Sequence, residues 1–224
     1  MPPNRTMVIA VATLVATGLG YWGYGAHKVR ELNQAAVSAL ADTNARLREA
    51  LGIETGPAPA NRAPVVKKLD DHVAAVDRHL SQLRGLDAAR NRTLADAADY
   101  YLLSARELLR KQADSQRHRL LLADSAQALR EHMRADNHTS AWVQQAVKAK
   151  ERVNKDYRGY SLATEVLGTM LETFSAAQKR IVPYIEASAL IADDLIAGAR
   201  TRVAGDAVRM AAEMEKMQRL GASR

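Results

Sequence analysis

Residues Pro64–Gly85 read PVVKKLDDHVAAVDRHLSQLRG. Val66, Leu69, Val73, Val76, Leu80 and Leu83 recur at spacings of 3, 4, 3, 4 and 3. That is the period of an apolar seam on an α-helix, since residues three and four apart share a face. A strand would need alternation at period two, and this stretch has none. Gly85 and Asp87 place a break after the seam.

The same period extends on both sides. Upstream, Val29, Leu32, Ala36, Ala39 and Leu40 form a stripe that ends at Gly52. Downstream, Leu94, Ala98, Tyr101, Ala105 and Leu108 make another, resumed at Leu122, Ala126, Leu129 and Met133. The turn ADNHTS, 135–140, carries Thr139 or Ser140 as N-cap of a helix from about 141 to 182, with Val166, Met170 and Phe174 on its buried side. Pro183 ends or kinks it, because proline has no N–H for the helical ladder. A last seam runs through Ile185, Ala189, Ala192, Ile196 and Ala199, then slips near Gly205 to Val203, Ala207, Met210, Met214 and Met217. With 42 Ala, one Phe and few β-branched residues, the composition predicts an all-α chain with a thin, Ala-rich core. The expected architecture is a single N-terminal transmembrane helix followed by an elongated antiparallel helical bundle or coiled coil.

The membrane segment is read from TMVIAVATLVATGLGYWGYGA, 6–26, which holds no charged residue. About 20 apolar residues span a bilayer core as a helix. Tyr21, Trp22 and Tyr24 cluster at one end, where amphipathic rings favour the headgroup zone. The alternative, a cleaved signal peptide, lacks a good small-residue cleavage pair. Ala12, Ala16 and Gly20 form a row of small residues at one-turn spacing, suited to close packing with another membrane helix. The G-x-G-x-x-G at Gly18, Gly20 and Gly23 lies inside this span without the strand–turn–helix setting of a dinucleotide loop. The chain divides into an anchor (1–27), a juxtamembrane helix (28–51), a Pro/Gly linker (52–64), a bundle (65–220) and a frayed tail (221–224). The expected location is the inner (cytoplasmic) membrane, with the helical domain exported to a periplasm.

The absence of cysteine excludes disulfides, iron–sulfur clusters and a thiol nucleophile. No Glu is followed by His at i+3, so the bundle-metal pattern is missing. His72 and His79 share a face but are about 10 Å apart along the axis; His132 and His138 flank the turn, with Asp136 beside them. These sets predict no catalytic group, cofactor or metal, and a non-enzymatic protein.

The formal charge is +7. Its densest basic stretch is 148–160, where Lys148, Lys150, Arg152, Lys155 and Arg158 interleave with Tyr157 and Tyr160. Three functions are expected from these features. The leading one is a scaffold or accessory subunit of an envelope complex, contacting other membrane or envelope proteins or itself through helix seams. The second is a ligand-binding sensor or carrier with a cavity near Tyr101, Trp142 or Tyr184. The third is binding of an anionic surface, lipid or nucleic acid, through 148–160; an exported domain disfavours nucleic acid as the partner.

Overall fold

The computed structural model describes residues 5–55, 63–88, 91–135, 139–186 and 190–220, apart from the side chains of 5–25, 54–55 and 220. Five α-helices follow one another: α1 Arg5–Thr55, α2 Ala63–Arg84, α3 Arg92–Arg134, α4 Ser140–Ile181 and α5 Asp193–Leu220, with a 3₁₀ turn at Val182–Tyr184. Among the described residues there is no strand.

Local chemistry sets the ends. Thr139 caps α4 by accepting a hydrogen bond from the Trp142 N–H. Pro183 sits within the 3₁₀ turn that closes α4. Asp193 and Asp194 occupy the first turn of α5, where carboxylates favour the helix dipole. Asn91, at the N-cap of α3, donates from Nδ2 to Asn33 Oδ1 of α1 at 2.9 Å and so ties the turn to its neighbour.

Cross-helix pairs fix the topology. Asp42 meets His79 and Glu49 meets His72, so α2 runs against α1. Arg84–Asp99, Arg106–Asp77 and Arg117–Asp70 set α3 against α2. Tyr101 packs on Phe174, Arg119 lies over Tyr160 and His132 stacks on Trp142, which sets α4 against α3. Arg200–Glu172 and Gln178–Ile191 reverse the chain once more into α5. The bundle is therefore up–down throughout, with α3 as its spine. Where α1 ends, α5 takes its place: Arg48 Nη2 donates to Leu190 O at 2.7 Å. The distal section consists of α3, α4 and α5 alone.

One core joins all five helices, including Leu32 to Leu51 of α1, so the stretch 28–51, expected as a separate helix, belongs to the bundle itself. A smaller cluster of Leu122, Val153, Tyr160 and Met214 closes the distal section. In α2, Leu69, Val76, Leu80 and Leu83 are buried as the seam predicts, while Val66 and Val73 are half-buried and His72 and Ala75 go inside. The buried stripe widens because α2 faces both α1 and α3. The expected seam through Ile185 and Ala192 is not helical; α5 begins only at Asp193, past the Pro183 turn. A Cβ at Gly159 would come within 2.7 Å of His118 Nδ1, so glycine there lets α3 and α4 approach closely.

Among the described residues no helix is long and apolar enough to cross a membrane. The span expected over 6–26 receives no support from them. Ala12, Ala16, Gly20, Tyr21, Trp22 and Tyr24 belong to the part of α1 whose side chains lie outside the described residues, as do linker residues 56–62, His138, Ala189 and the tail.

Candidate functional site

The densest polar cluster joins α1 to α2. Arg46 donates to both Asp42 oxygens, at 2.7 and 3.2 Å, and its Nη1 lies 3.3 Å from His72 Nδ1. A guanidinium only donates, so His72 Nδ1 accepts and Nε2 holds the proton of the neutral ring. That Nε2 is 3.0 Å from Glu49 Oε2 but off the hydrogen-bonding direction, and Glu49 also pairs with Lys68. His79 Nε2 lies 2.8 Å from Asp42 Oδ2. Each histidine thus has its own carboxylate. Among the described residues no three His, Asp or Glu are placed to hold a metal ion.

Burial pushes the His72 ring below its ordinary pKa, with Arg46 and Lys68 adding to the effect and Glu49 opposing it. Hydrogen bonding from Arg46 holds Asp42 down, and Lys68 does the same for Glu49. For all three groups the unfolded chain takes up protons first as pH falls. Stability is therefore lost on acidification, from about pH 6.5 for His72 and below about pH 4 for the carboxylates. The expected thermal midpoint falls between pH 7.5 and 5.5, and falls less for His72→Gln. Thermal denaturation followed by circular dichroism at the two pH values checks this; an equal fall in both proteins removes His72 as the cause.

The aromatic residues of the sensor reading do not meet. Tyr101 is fully buried in the core, with its ring 5.2 Å from Phe174 and its hydroxyl donating to Asn44 Oδ1. Trp142 lies at the α3–α4 turn, stacked on His132 and joined to it by two hydrogen bonds to backbone carbonyls. Tyr184 is exposed at the opposite end of α4. These three sit at three different levels of the bundle and so do not line one cavity together. His132 is engaged in the Trp142 clasp.

The basic stretch divides by helix face. Lys148, Lys150, Arg152, Lys155 and Arg158 are all exposed, whereas Tyr160 is buried and Tyr157 half-buried against the distal cluster. Asp156 lies 4.0 Å from Arg152.

A concave site opens instead between α4 and α5. An open groove of about 680 Å³ is lined by Ser161, Thr164, Glu165, Gly168 and Glu172 of α4, and by Ala197, Arg200, Thr201, Ala204 and Ala207 of α5. Small side chains make its floor, and a Cβ at Gly168 would meet nothing within 4 Å. Thr164 is 5% exposed and its hydroxyl has no partner. Arg200 Nη2 bonds Glu172 Oε1 at 2.5 Å across the groove. Two large apolar residues next in sequence to its lining are exposed, Leu162 beside Ser161 at 62% and Val208 beside Ala207 at 72%. Val208 continues the Ala197–Thr201–Ala204 stripe by one turn. The sequence held one signal for this groove, since Val208 lies off the seam predicted for its segment; Leu162 gives none, because it stands four residues before Val166 on the predicted seam.

No family model, curated protein or solved structure matches the chain.

Proposed function

We propose that the chain is a non-catalytic, membrane-tethered helical scaffold that docks an apolar helix of a partner protein in the α4–α5 groove. The groove carries this reading. Its floor of Gly168, Ala197, Ala204 and Ala207 permits close backbone approach, and exposed Val208, one turn past Ala204, adds apolar area on the same face of α5. Tethering through 6–26 fits the continuity of α1, which runs unbroken from Arg5 into core residues Leu32 and Ala36, so an anchor would hold the bundle stiffly. The Tyr21–Trp22–Tyr24 belt and an exported, periplasmic domain belong to the same proposal.

The test places a photo-crosslinking residue at Val208 in cells, with a second probe at Val37, another exposed apolar residue. A discrete adduct is expected at Val208 and not at Val37. Gly168→Leu is expected to abolish that adduct, because its side chain fills the groove. It should also keep or raise stability, since replacing a mid-helix glycine gains about 0.5–1 kcal/mol. Adduct formation unaffected by Gly168→Leu in a folded protein removes the groove as the docking site. Resistance of the chain to alkaline carbonate extraction tests the anchor separately.

A further inference from the structure

We infer that the distal end of the bundle is a docking surface for anionic lipid headgroups, in addition to the groove. Charge is unevenly distributed along the molecule. Residues 118–160 and 202–220, which form the distal three-helix section, hold 12 Lys and Arg against 8 Asp and Glu. That excess of four is more than half of the chain's formal +7. It is concentrated on the solvent side of α4. Lys148, Arg152 and Lys155 follow at spacings of 4 and 3 and share one face. Val143, Val147 and Lys150 follow at 4 and 3 on the next face, with Arg158 two turns beyond. All of these residues are exposed, and Val143 and Val147 are two of the few large apolar side chains in the open.

The chemistry of this face favours a bilayer surface over a nucleic acid. A protein that binds single strands presents aromatic rings on which bases stack, but Tyr160 and Tyr157 turn toward Leu122, Val153 and Met214 in the interior. What remains outside is a spread of ammonium and guanidinium groups flanking two valines, in excess over exposed Glu151 and over Asp156, which lies 4.0 Å from Arg152. That combination matches headgroup phosphates over an acyl boundary, where each base near an anionic surface contributes about 1 kcal/mol. The surface also stands far from the N-terminal segment. Asn44, Tyr101 and Phe174 lie at one level, so Lys148 is about 60 Å from Lys28 along the axis at 1.5 Å per residue. The bilayer this surface meets is therefore a different one from that which 6–26 would enter.

The test uses the full chain mixed with floating vesicles of phosphatidylcholine alone, or with roughly one-third phosphatidylglycerol. An apolar N-terminal segment takes both vesicles alike, so the readout is the difference between them. The expected result is a preference for the anionic vesicles that falls steeply with salt. Lys148→Ala/Arg152→Ala/Lys155→Ala should reduce that preference by roughly 100-fold, at about 1 kcal/mol per base and 1.4 kcal/mol per factor of ten. Val143→Ser/Val147→Ser should reduce it further, and both variants alter exposed positions only. Equal binding to the two vesicles overturns the inference, as does a preference that survives the triple substitution. Tight binding of a duplex oligonucleotide without vesicle preference overturns it too, and assigns the end to nucleic acid.

Discussion

Phe174→Ala is expected to lower the free energy of unfolding by about 3–5 kcal/mol, the range for deleting a buried phenyl ring and leaving a cavity. Phe174 is the only phenylalanine in the chain and is fully buried. Its ring packs at a tilt against Tyr101, whose hydroxyl bonds Asn44 of α1, so the site joins α1, α3 and α4 at one level. Burial pushes the Tyr101 pKa up, which keeps the phenol protonated and donating. In a chain of this length the thermal midpoint should fall by about 10 °C. Phe174→Leu, which keeps most of the volume, should cost clearly less. Urea denaturation of the three proteins decides the matter: similar midpoints for the Ala and Leu variants would show that the cavity is not the cause.

Gln178→Ala should have the next largest effect, and a local one. The Gln178 carboxamide donates from Nε2 to Ile191 O at 2.6 Å and accepts from the Ile191 N–H at 3.1 Å. Both residues are buried, so truncation leaves a backbone donor and acceptor without partners. Each such group costs about 1–3 kcal/mol. These bonds fasten the chain just before α5, which otherwise packs chiefly on α4 and the end of α1. The expected outcome is faster hydrogen exchange and proteolysis across 190–220, with α1, α2 and α3 still protected. Uniform loss of protection across all helices would mean that α5 does not detach as a unit. Because the α4–α5 groove depends on α5, crosslinking at Val208 should fail in the same variant.

The helices themselves were legible from periodicity. Residues Leu94, Ala98, Tyr101, Ala105 and Leu108 are all buried, as their spacing implies. The Thr139 cap and the Pro183 stop act through bonds made within a few residues, which sequence order alone places. Periodicity misjudged Ile185, Ile191 and Ala192, because apolar spacing says nothing about whether a chain leaving a proline turn resumes a helix at once. It also assigned α2 a narrow seam, since a single stripe cannot reveal that a helix has two neighbours.

The sequence by itself determined an all-helical chain, the period of each buried stripe, the lack of cysteine chemistry and the charge of the 148–160 stretch, because these depend on residue identity and spacing at short range. Only the tertiary structure decided that Glu49 meets His72, that Gln178 holds Ile191, and that Tyr157 and Tyr160 face inward away from their basic neighbours. The α4–α5 groove is of the same kind: it arises from small residues more than 20 positions apart brought together by the reversal at Pro183. Contacts between helices depend on how each is rotated and stacked against the others. That choice is made by the packing of the whole core, and no single stretch of sequence contains it.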